Sequence, residues 1–305
     1  MRIIFFGTPD FAVATLQALV EHGFDVCAVV TAPDRPAGRG MKIQMSAVKK
    51  YALSQHIPVL QPEKLKAEDF VATLRSYQAD VQVVVAFRML PEIVWNMPPQ
   101  GTINLHASLL PQYRGAAPIN WAIIRGESIT GVTTFRLQHA IDTGNILLQE
   151  SVPIEPTDTA GTLHDKLMVV GAQLMVKTME GIASNTLVEI PQQQLEDAKT
   201  APKLYTETCQ INWHQTGEVI HCFVRGLSPY PAAFSMLHAK KIKIFSVHIE
   251  TMSHSDAVGS VLTDHKTFLK YACVDGYVSI LEMQLEGKTR MMIADFLRGY
   301  QVSTK

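Results

Sequence analysis

The segment that begins at Asn104 carries the side chains of this sequence that are best suited to chemistry. Asn104, His106 and Ser108 bring an amide, an imidazole and a hydroxyl within five residues. The alternation around them places Ile103 and Leu105 on one face of a short strand. Asn104 and His106 then share the opposite face, because side chains two apart in a strand point the same way. A hydrogen-bond donor and a titratable ring are therefore expected at the carboxyl end of a strand, where open α/β sheets usually bind ligands.

A carboxylate that could complete this group comes from a later turn. Asp142 stands in an Asp-Thr-Gly sequence that follows an extended segment, so another strand end is its expected position. An amide, an imidazole and a carboxylate at neighbouring strand ends could form one acyl-transfer centre. Asp-Thr-Gly is also typical of aspartic proteases, but these enzymes need two such aspartates and this sequence has one copy.

Two other segments could bind anions. The first strand-to-helix turn, around residues 6–11, lacks the Gly-x-Gly-x-x-Gly spacing of a dinucleotide site, which disfavours NAD binding. We interpret it as a tight turn with Asp10 as the helix N-cap. Residues 34–42 place three cations among glycines and a proline. This segment is either a solvated surface loop or an arm that grips phosphates.

The elements that must position these groups alternate between strand and helix in the first half of the chain. The near-continuous apolar run at residues 81–85 is typical of a central parallel strand. The alternation predicts an α/β fold with an open, doubly wound, mostly parallel Rossmann-like sheet. We expect strands at 3–6, 25–31, 59–60, 81–85, 101–106, 131–137 and 146–152, and helices at 11–20, 46–55, 67–77, 118–125 and 159–183.

The second half has a different texture. After one helix at about 215–226, short alternating segments separated by turn residues predict a small β-barrel. The predicted division is a catalytic domain at 1–190, a polar linker at 191–204 and a barrel domain at 205–305. Tyr230, which stands between two prolines, is expected to pack inside the barrel domain.

Composition narrows the class of protein. The 305 residues are 47% hydrophobic and 18% charged with a net charge of −1, which indicates a soluble globular protein of about two domains. No apolar run suits a membrane span and no secretory signal is recognisable, so we expect no membrane association and a bacterial, cytoplasmic location. The four scattered cysteines fit reduced buried thiols rather than a zinc site.

In content and order these motifs resemble the methionyl-tRNA formyltransferases. Asn-x-His with a downstream Asp-x-Gly is shared by enzymes that use 10-formyltetrahydrofolate, and the early Gly-Thr-Pro-Asp-Phe, the arginine-rich loop and the C-terminal domain narrow the resemblance to the tRNA enzymes. The matching segments cover nearly the whole chain and begin at Phe6, Asp34, Asn104, Gly131, Ile141, Ala201 and Arg225.

The resemblance implies transfer of a formyl group from 10-formyltetrahydrofolate to the α-amino group of methionyl-initiator tRNA. It implies that Asn104, His106 and Asp142 carry catalysis, without a metal and without an obligatory protein partner. Arg39 and Lys42 are implied to meet the acceptor end of the tRNA, and the C-terminal barrel, similar to an OB-fold, to hold the acceptor arm.

The resemblance also implies that the folate lies along Ser108, Leu109, Leu110 and Pro111. The chain departs from the family pattern nearby, since the loop that contains Phe87 and Leu90 is one residue shorter than expected and carries Arg88 in place of small residues.

Two other classes of function stay open at this stage. One is a different 10-formyltetrahydrofolate-dependent formyltransferase or hydrolase, whose acceptor is a small amine or water. The extra domain of about 100 residues argues against the versions with a small acceptor. The other is a non-catalytic RNA-binding protein, against which the intact set of Asn104, His106 and Asp142 argues.

Overall fold

The computed structural model describes residues 1–37, 42–193, 196–238 and 240–302. The chain forms two compact units. The first consists of Met1–Gly115, Thr130–Pro153 and His164–Thr200, and the second of Ala116–Ile129, Ile154–Leu163 and Ala201–Lys305.

Strands and helices alternate through the first two hundred residues. The strands are β1 Arg2–Gly7, β2 Asp25–Val30, β3 Arg35–Ala37, β4 Lys42–Gln44, β5 Val59–Leu60, β6 Val81–Val85, β7 Thr102–His106, β8 Arg114–Gly115, β9 Ile129–Arg136, β10 Ile146–Pro153 and β11 Thr200–Ala201. The helices are α1 Asp10–Glu21, α2 Ala47–Ser54, α3 Glu68–Ser76, α4 Glu92–Trp95, α5 Pro118–Ile124 and α6 Ala160–Ala183.

A seven-stranded sheet in the order β10-β9-β7-β6-β1-β2-β5 forms the centre of the first unit. Its strands β5, β2, β1, β6 and β7 are parallel, and β9 runs antiparallel to β7. Every residue of β6 is buried, as a central strand covered on both faces requires. The predicted doubly wound, mostly parallel fold is therefore confirmed.

Two local expectations for the first unit were wrong. Pro9 occupies the N-cap position of α1 and Asp10 is its first helical residue, where a carboxylate still favours the positive end of the helix dipole. The arginine-rich segment is not wholly a loop, because β3 and β4 pair as an antiparallel hairpin in which Arg35 lies opposite Gln44. Neither short strand has a hydrophobic run that periodicity could detect.

The second unit contains a curled antiparallel sheet, as the predicted small barrel required. Its strand order is β12-β13-β16-β15-β14, with β17 paired to β16. The elements are a 3-10 turn Glu207–Cys209, α7 Gly217–Leu227, β12 Ala233–Leu237, β13 Lys240–Thr251, β14 Val261–Thr263, β15 Leu269–Cys273, β16 Gly276–Leu285, β17 Met291–Met292 and α8 Ile293–Gly299.

A single apolar core holds this sheet to α7. Ile220, Val224 and Leu227 line one face of the helix and pack with the inward side chains of the strands. The strand β13 is irregular around Ser246, where a bulge bends it and helps the sheet to curl. Tyr230 does not join the core as expected. Its side chain is 80% exposed, so that prediction was wrong.

Candidate active site

Strand β7 carries Asn104 and His106 on the same face. In the sheet, Asn104 lies opposite Val84 of β6 and Phe135 of β9, while His106 lies opposite Thr133 of β9. The intervening Leu105 is buried on the other face, which is the alternation that the sequence predicts. Among the residues that the structure describes, none bonds to the Asn104 carboxamide, so its N–H groups are available to a ligand.

The side chain of His106 is 8% exposed, and each of its ring nitrogens faces an oxygen. Nε2 lies 2.9 Å from the carbonyl oxygen of Tyr113. Because a carbonyl can only accept, Nε2 must carry a proton and donate it. Nδ1 lies 3.9 Å from Oδ2 of Asp142, which is too long for a direct hydrogen bond and short enough for an ion pair. Nδ1 is therefore the ring nitrogen that faces the carboxylate.

A backbone N–H group holds the carboxylate of Asp142 in place. Its Oδ2 accepts a hydrogen bond of 3.0 Å from the N–H of Gly115, and only 11% of its side chain is exposed. Asp142 has a φ of 55°, in the left-handed region that aspartate tolerates better than most residues. The turn thus aims the carboxylate at His106 with one oxygen facing both partners.

Gly144 makes this turn possible. A Cβ at residue 144 would lie 1.6 Å from the carbonyl oxygen of Arg136, which no side chain could occupy. The N–H of Arg136 in turn donates to the carbonyl oxygen of Asn145 over 2.9 Å. The glycine of the Asp-Thr-Gly sequence is needed because the chain returns so closely against the end of β9.

Gln192 is a site residue that sequence reasoning missed. Its Nε2 donates to the carbonyl oxygens of Asp142 at 2.9 Å and of Gly144 at 2.7 Å. Its Oε1 accepts from the guanidinium of Arg114, at 3.1 Å from Nε and 2.6 Å from the nearer terminal nitrogen. No pattern marks a glutamine in a polar, proline-bounded stretch, so this contact is visible only in three dimensions.

The segment proposed for folate folds inward at Ser108. This residue is fully buried, and its hydroxyl donates to the carbonyl oxygen of Gln112 at 2.6 Å. Leu110 is also buried. Leu109 and Pro111 are half-buried and present the accessible side chains of this segment.

Thr133 of β9 holds the same segment in place. Its hydroxyl donates to the carbonyl oxygen of Ser108 at 2.6 Å and accepts from the N–H of Leu110 at 3.1 Å. Gln149 adds two bonds of 2.9 Å, one to this hydroxyl and one to the carbonyl oxygen of Leu110. The shape of the loop therefore depends on side chains of two neighbouring strands.

Of the two residues that the resemblance assigns to tRNA, Arg39 lies outside the described residues. Lys42 begins β4, and its backbone lies opposite Ala37 in the hairpin.

Strand β3 starts directly after Asp34, which ties the base of the hairpin to helix α2. The Oδ2 of Asp34 is 2.5 Å from Nζ of Lys49, and its Oδ1 accepts from Gln61 at 2.8 Å. Hydrogen bonds from Lys49 and then from Gln61 lower the pKa of Asp34.

The shortened loop after β6 is fastened by the unusual Arg88. Its guanidinium donates to the carbonyl oxygens of Pro62 at 2.5 Å and of Glu63 at 2.9 Å. Phe87 meets Phe6 edge to ring at 5.7 Å between centroids. Arg88 thus anchors the loop to a neighbouring segment.

Comparisons with known proteins decide the family. The formyl transferase family model matches residues 1–179, and the model of the formyl transferase C-terminal domain matches residues 203–301. The methionyl-tRNA formyltransferase of Bacteroides thetaiotaomicron is 53% identical over 311 residues, which cover 99% of this chain and 97% of that protein. The chain belongs to the methionyl-tRNA formyltransferase family. The methionyl-tRNA formyltransferase of Flavobacterium johnsoniae is 48% identical over 307 residues, with 99% and 97% covered.

Solved structures share the formyltransferase fold. HypX from Aquifex aeolicus, crystallised with tetrahydrofolic acid, matches with a TM-score of 0.67 at 19% identity, over 97% of this chain and 47% of that chain. The phosphoribosylglycinamide formyltransferase of Bacillus halodurans matches with a TM-score of 0.52 at 26% identity, over 60% of this chain and 96% of that chain. These likenesses show the fold.

As a member of the methionyl-tRNA formyltransferases, the protein is a formyl-transferring enzyme of translation initiation. The family uses formyl-tetrahydrofolate as the donor and methionyl-tRNA as the acceptor. The amide of Asn104, which bonds to none of the described residues, lies on the same strand face as His106 and suits a substrate of this kind, because a reacting formyl group needs hydrogen-bond donors for its oxygen.

The described residues also bear on metals, thiols and membranes. Across 1–37, 42–193, 196–238 and 240–302, no group of three or more His, Cys, Asp or Glu side chains could hold a metal ion. All four cysteines are free, and three of them are buried. No helix in this part of the chain has both the length and the apolar character to cross a membrane.

Proposed function

We propose that this enzyme uses Asn104, His106 and Asp142 to transfer the formyl group of 10-formyltetrahydrofolate to the α-amino group of methionyl-initiator tRNA. The observation that carries the proposal is the approach of Nδ1 of His106 to Oδ2 of Asp142 at 3.9 Å, with Asn104 on the same strand face as the imidazole. His106 and Asp142 are distant in the sequence, and the backbone N–H of Gly115 fixes the carboxylate of Asp142 near the imidazole.

The chemistry is an acyl transfer. The amine nitrogen of methionine attacks the formyl carbon, the carbonyl becomes a tetrahedral oxyanion, and the bond between that carbon and N10 then breaks. The proton lost by the amine ends on N10. The substrate supplies the nucleophile, so Asn104 acts by donating from its carboxamide to the oxyanion, and His106 by donating from Nδ1–H, since Nε2 is engaged by the carbonyl of Tyr113. Loss of one such donor typically lowers the rate on the order of 10²–10³-fold.

Asp142 has two tasks in this scheme. The carbonyl of Tyr113 engages Nε2 of His106, so the carboxylate faces the other ring nitrogen, Nδ1. It stabilises the imidazolium by its charge, and it relays the proton from the amine towards N10. Acid–base assistance of this kind contributes roughly 10²–10⁴-fold to a rate.

Replacement of this carboxylate tests the mechanism. Asp142→Asn keeps the size of the side chain and a residue type that tolerates the left-handed backbone. We expect kcat to fall by at least about tenfold, since acid–base help is lost, while folate affinity stays near normal. Steady-state kinetics with a separate folate-binding titration measure both quantities.

Asp197→Asn is the matched control, since this aspartate is exposed in the same unit. It should leave kcat unchanged. Normal turnover of the Asp142→Asn variant would remove this carboxylate from the mechanism.

The folate is proposed to lie along Ser108, Leu109, Leu110 and Pro111. Support comes from the half-buried side chains of Leu109 and Pro111, which offer apolar surface to a pterin. Buried Ser108 and Leu110 act through the shape of the loop, which their hydrogen bonds to Thr133 maintain.

The acceptor end of the tRNA is proposed to meet Arg39 and Lys42 of the arginine-rich segment. The barrel domain, residues 205–305, is proposed to bind the acceptor arm, with residues 1–190 as the catalytic domain and 191–204 as the linker. The bacterial relatives are enzymes of translation initiation, and this supports the proposal of a cytoplasmic location.

A formylation assay with three acceptors tests the substrate assignment. The protein is incubated with 10-formyltetrahydrofolate and methionine-charged initiator tRNA, methionine-charged elongator tRNA or glycinamide ribonucleotide. We expect formyl-methionine with the initiator and far less product with the other two. Preference for the small amine, or release of free formate alone, would favour the alternative acceptors instead.

A further inference from the structure

The segment that the sequence marks as a linker sends one side chain back to the turn that bears Asp142. Both hydrogens of the Gln192 amide are used, one on the carbonyl oxygen of Asp142 and one on that of Gly144. Both acceptor positions of its oxygen face the guanidinium of Arg114. A half-buried glutamine whose whole hydrogen-bonding capacity is used within one site restrains every group that it touches.

The hydrogen bonds of Gln192 reach two backbone segments that flank the carboxylate of Asp142. On one side they hold the two carbonyls that bracket Thr143, and so restrain the left-handed turn. On the other side they hold Arg114, whose neighbour Gly115 donates its N–H to Oδ2 of Asp142 at 3.0 Å. One side chain thus connects the backbone that aims the carboxylate to the backbone that binds it.

We infer that Gln192 is a positioning residue for Asp142, and that its effect on formyl transfer passes through that carboxylate. The inference rests on the role proposed above for Asp142. If the turn loosens, the distance between Oδ2 and Nδ1 of His106 is no longer held. A displacement of about 1 Å in a reacting group can cost on the order of 10²-fold in rate.

Gln192→Glu separates the two halves of this contact. The variant keeps the shape of the side chain and its acceptor towards Arg114, but it replaces the amide donors with an oxygen that repels two carbonyl groups. We expect kcat to fall about tenfold or more, with KM for both substrates within about twofold of the parent value.

Two variants accompany it. Gln193→Glu adds the same charge at the next residue, which is exposed and has no hydrogen bond among the described residues, and it should keep the parent kcat. Gln192→Ala removes the bonds without adding charge and should also lower kcat. Thermal unfolding identifies the temperature range in which each variant is folded, and the kinetics are measured within it.

A double-mutant cycle decides whether the effect passes through Asp142. In the Asp142→Asn background, Gln192→Glu should reduce kcat by less than about twofold further, because the group that it positions is already gone. Full multiplication of the two effects would overturn the positioning role, and so would parent turnover in both Gln192 variants. Parent turnover in Asp142→Asn alone would instead overturn the proposed function of that carboxylate, which distinguishes the two failures.

Discussion

Single residues in this site are constrained by backbone as much as by chemistry. Asp142 needs a left-handed conformation, and Gly144 needs the absence of a side chain because the carbonyl of Arg136 occupies the space. The Asp-Thr-Gly sequence therefore supplies a functional group and the geometry that presents it. The same amino-acid pattern would have no such meaning at a site where the chain did not fold back on itself.

Gly144→Ala tests this constraint. The added Cβ would overlap the carbonyl oxygen of Arg136, so the turn must separate from the end of β9. We expect a loss of roughly 1–3 kcal/mol in the free energy of unfolding and a lower kcat at temperatures where the variant is folded. Denaturant unfolding and steady-state kinetics measure the two effects.

Gly299→Ala is the control for that experiment, since a Cβ at residue 299 meets nothing within 4 Å. It should change neither stability nor kcat appreciably. Parent-like stability of Gly144→Ala would mean that the turn has an alternative conformation of equal free energy.

Secondary-structure elements place the candidate groups in different ways. Strand β7 is pinned between β6 and β9, so its alternation alone determines which side chains face the site. The hairpin of β3 and β4 has a different kind of support. Its base is attached to α2 through the ion pair of Asp34 with Lys49, and Gln61 bonds to both partners.

Lys49→Met tests whether this attachment matters to tRNA. Without the ammonium group, Asp34 loses its ion pair and the base of the hairpin is less constrained. We expect KM for tRNA to rise about threefold or more, because a less ordered arm costs more entropy on binding, while KM for folate is unchanged. Lys50→Met, an exposed neighbour on the same helix, is the matched control. Equal effects of the two substitutions would point to general charge loss rather than to the attachment.

At the scale of the whole molecule, the net charge gives no indication of a nucleic-acid substrate. The net charge of −1 is not that of a typical nucleic-acid-binding protein, although the family acts on a tRNA. Binding must then use local groups of cations rather than a general attraction. The cations of residues 34–42 are the group that we propose for the acceptor end.

Salt dependence measures how many phosphates such groups contact. We expect the affinity for tRNA to fall as salt rises, because neutralised phosphates release counterions, and the affinity for folate to change little. Arg39→Ala should reduce the slope of log K against log salt by about one. A flat salt series would show that the arm does not contact phosphate, and an unchanged slope for the variant would remove Arg39 from the interface.

Local patterns were sufficient for much of the architecture. Strand β6 was predicted with its observed bounds, because it is a near-continuous apolar run. The two-residue strand β5 was also predicted, but α4 and the hairpin strands β3 and β4 were missed, because their three or four residues carry too little periodicity. The prediction that Tyr230 packs inside the domain was wrong, because an aromatic residue between two prolines gives the same sequence pattern whether its side chain is buried or exposed.

The sequence by itself determined the alternating sheet, the curled C-terminal sheet, the shared face of Asn104 and His106, and the family, because these depend on periodicities and motifs of neighbouring residues. Only the tertiary structure decided that Nδ1 faces Asp142 while Nε2 faces a carbonyl, and that Gln192 holds the turn. Those contacts join segments far apart in the chain. No local pattern encodes them, since their geometry exists only once the sheet has formed and brought the segments together.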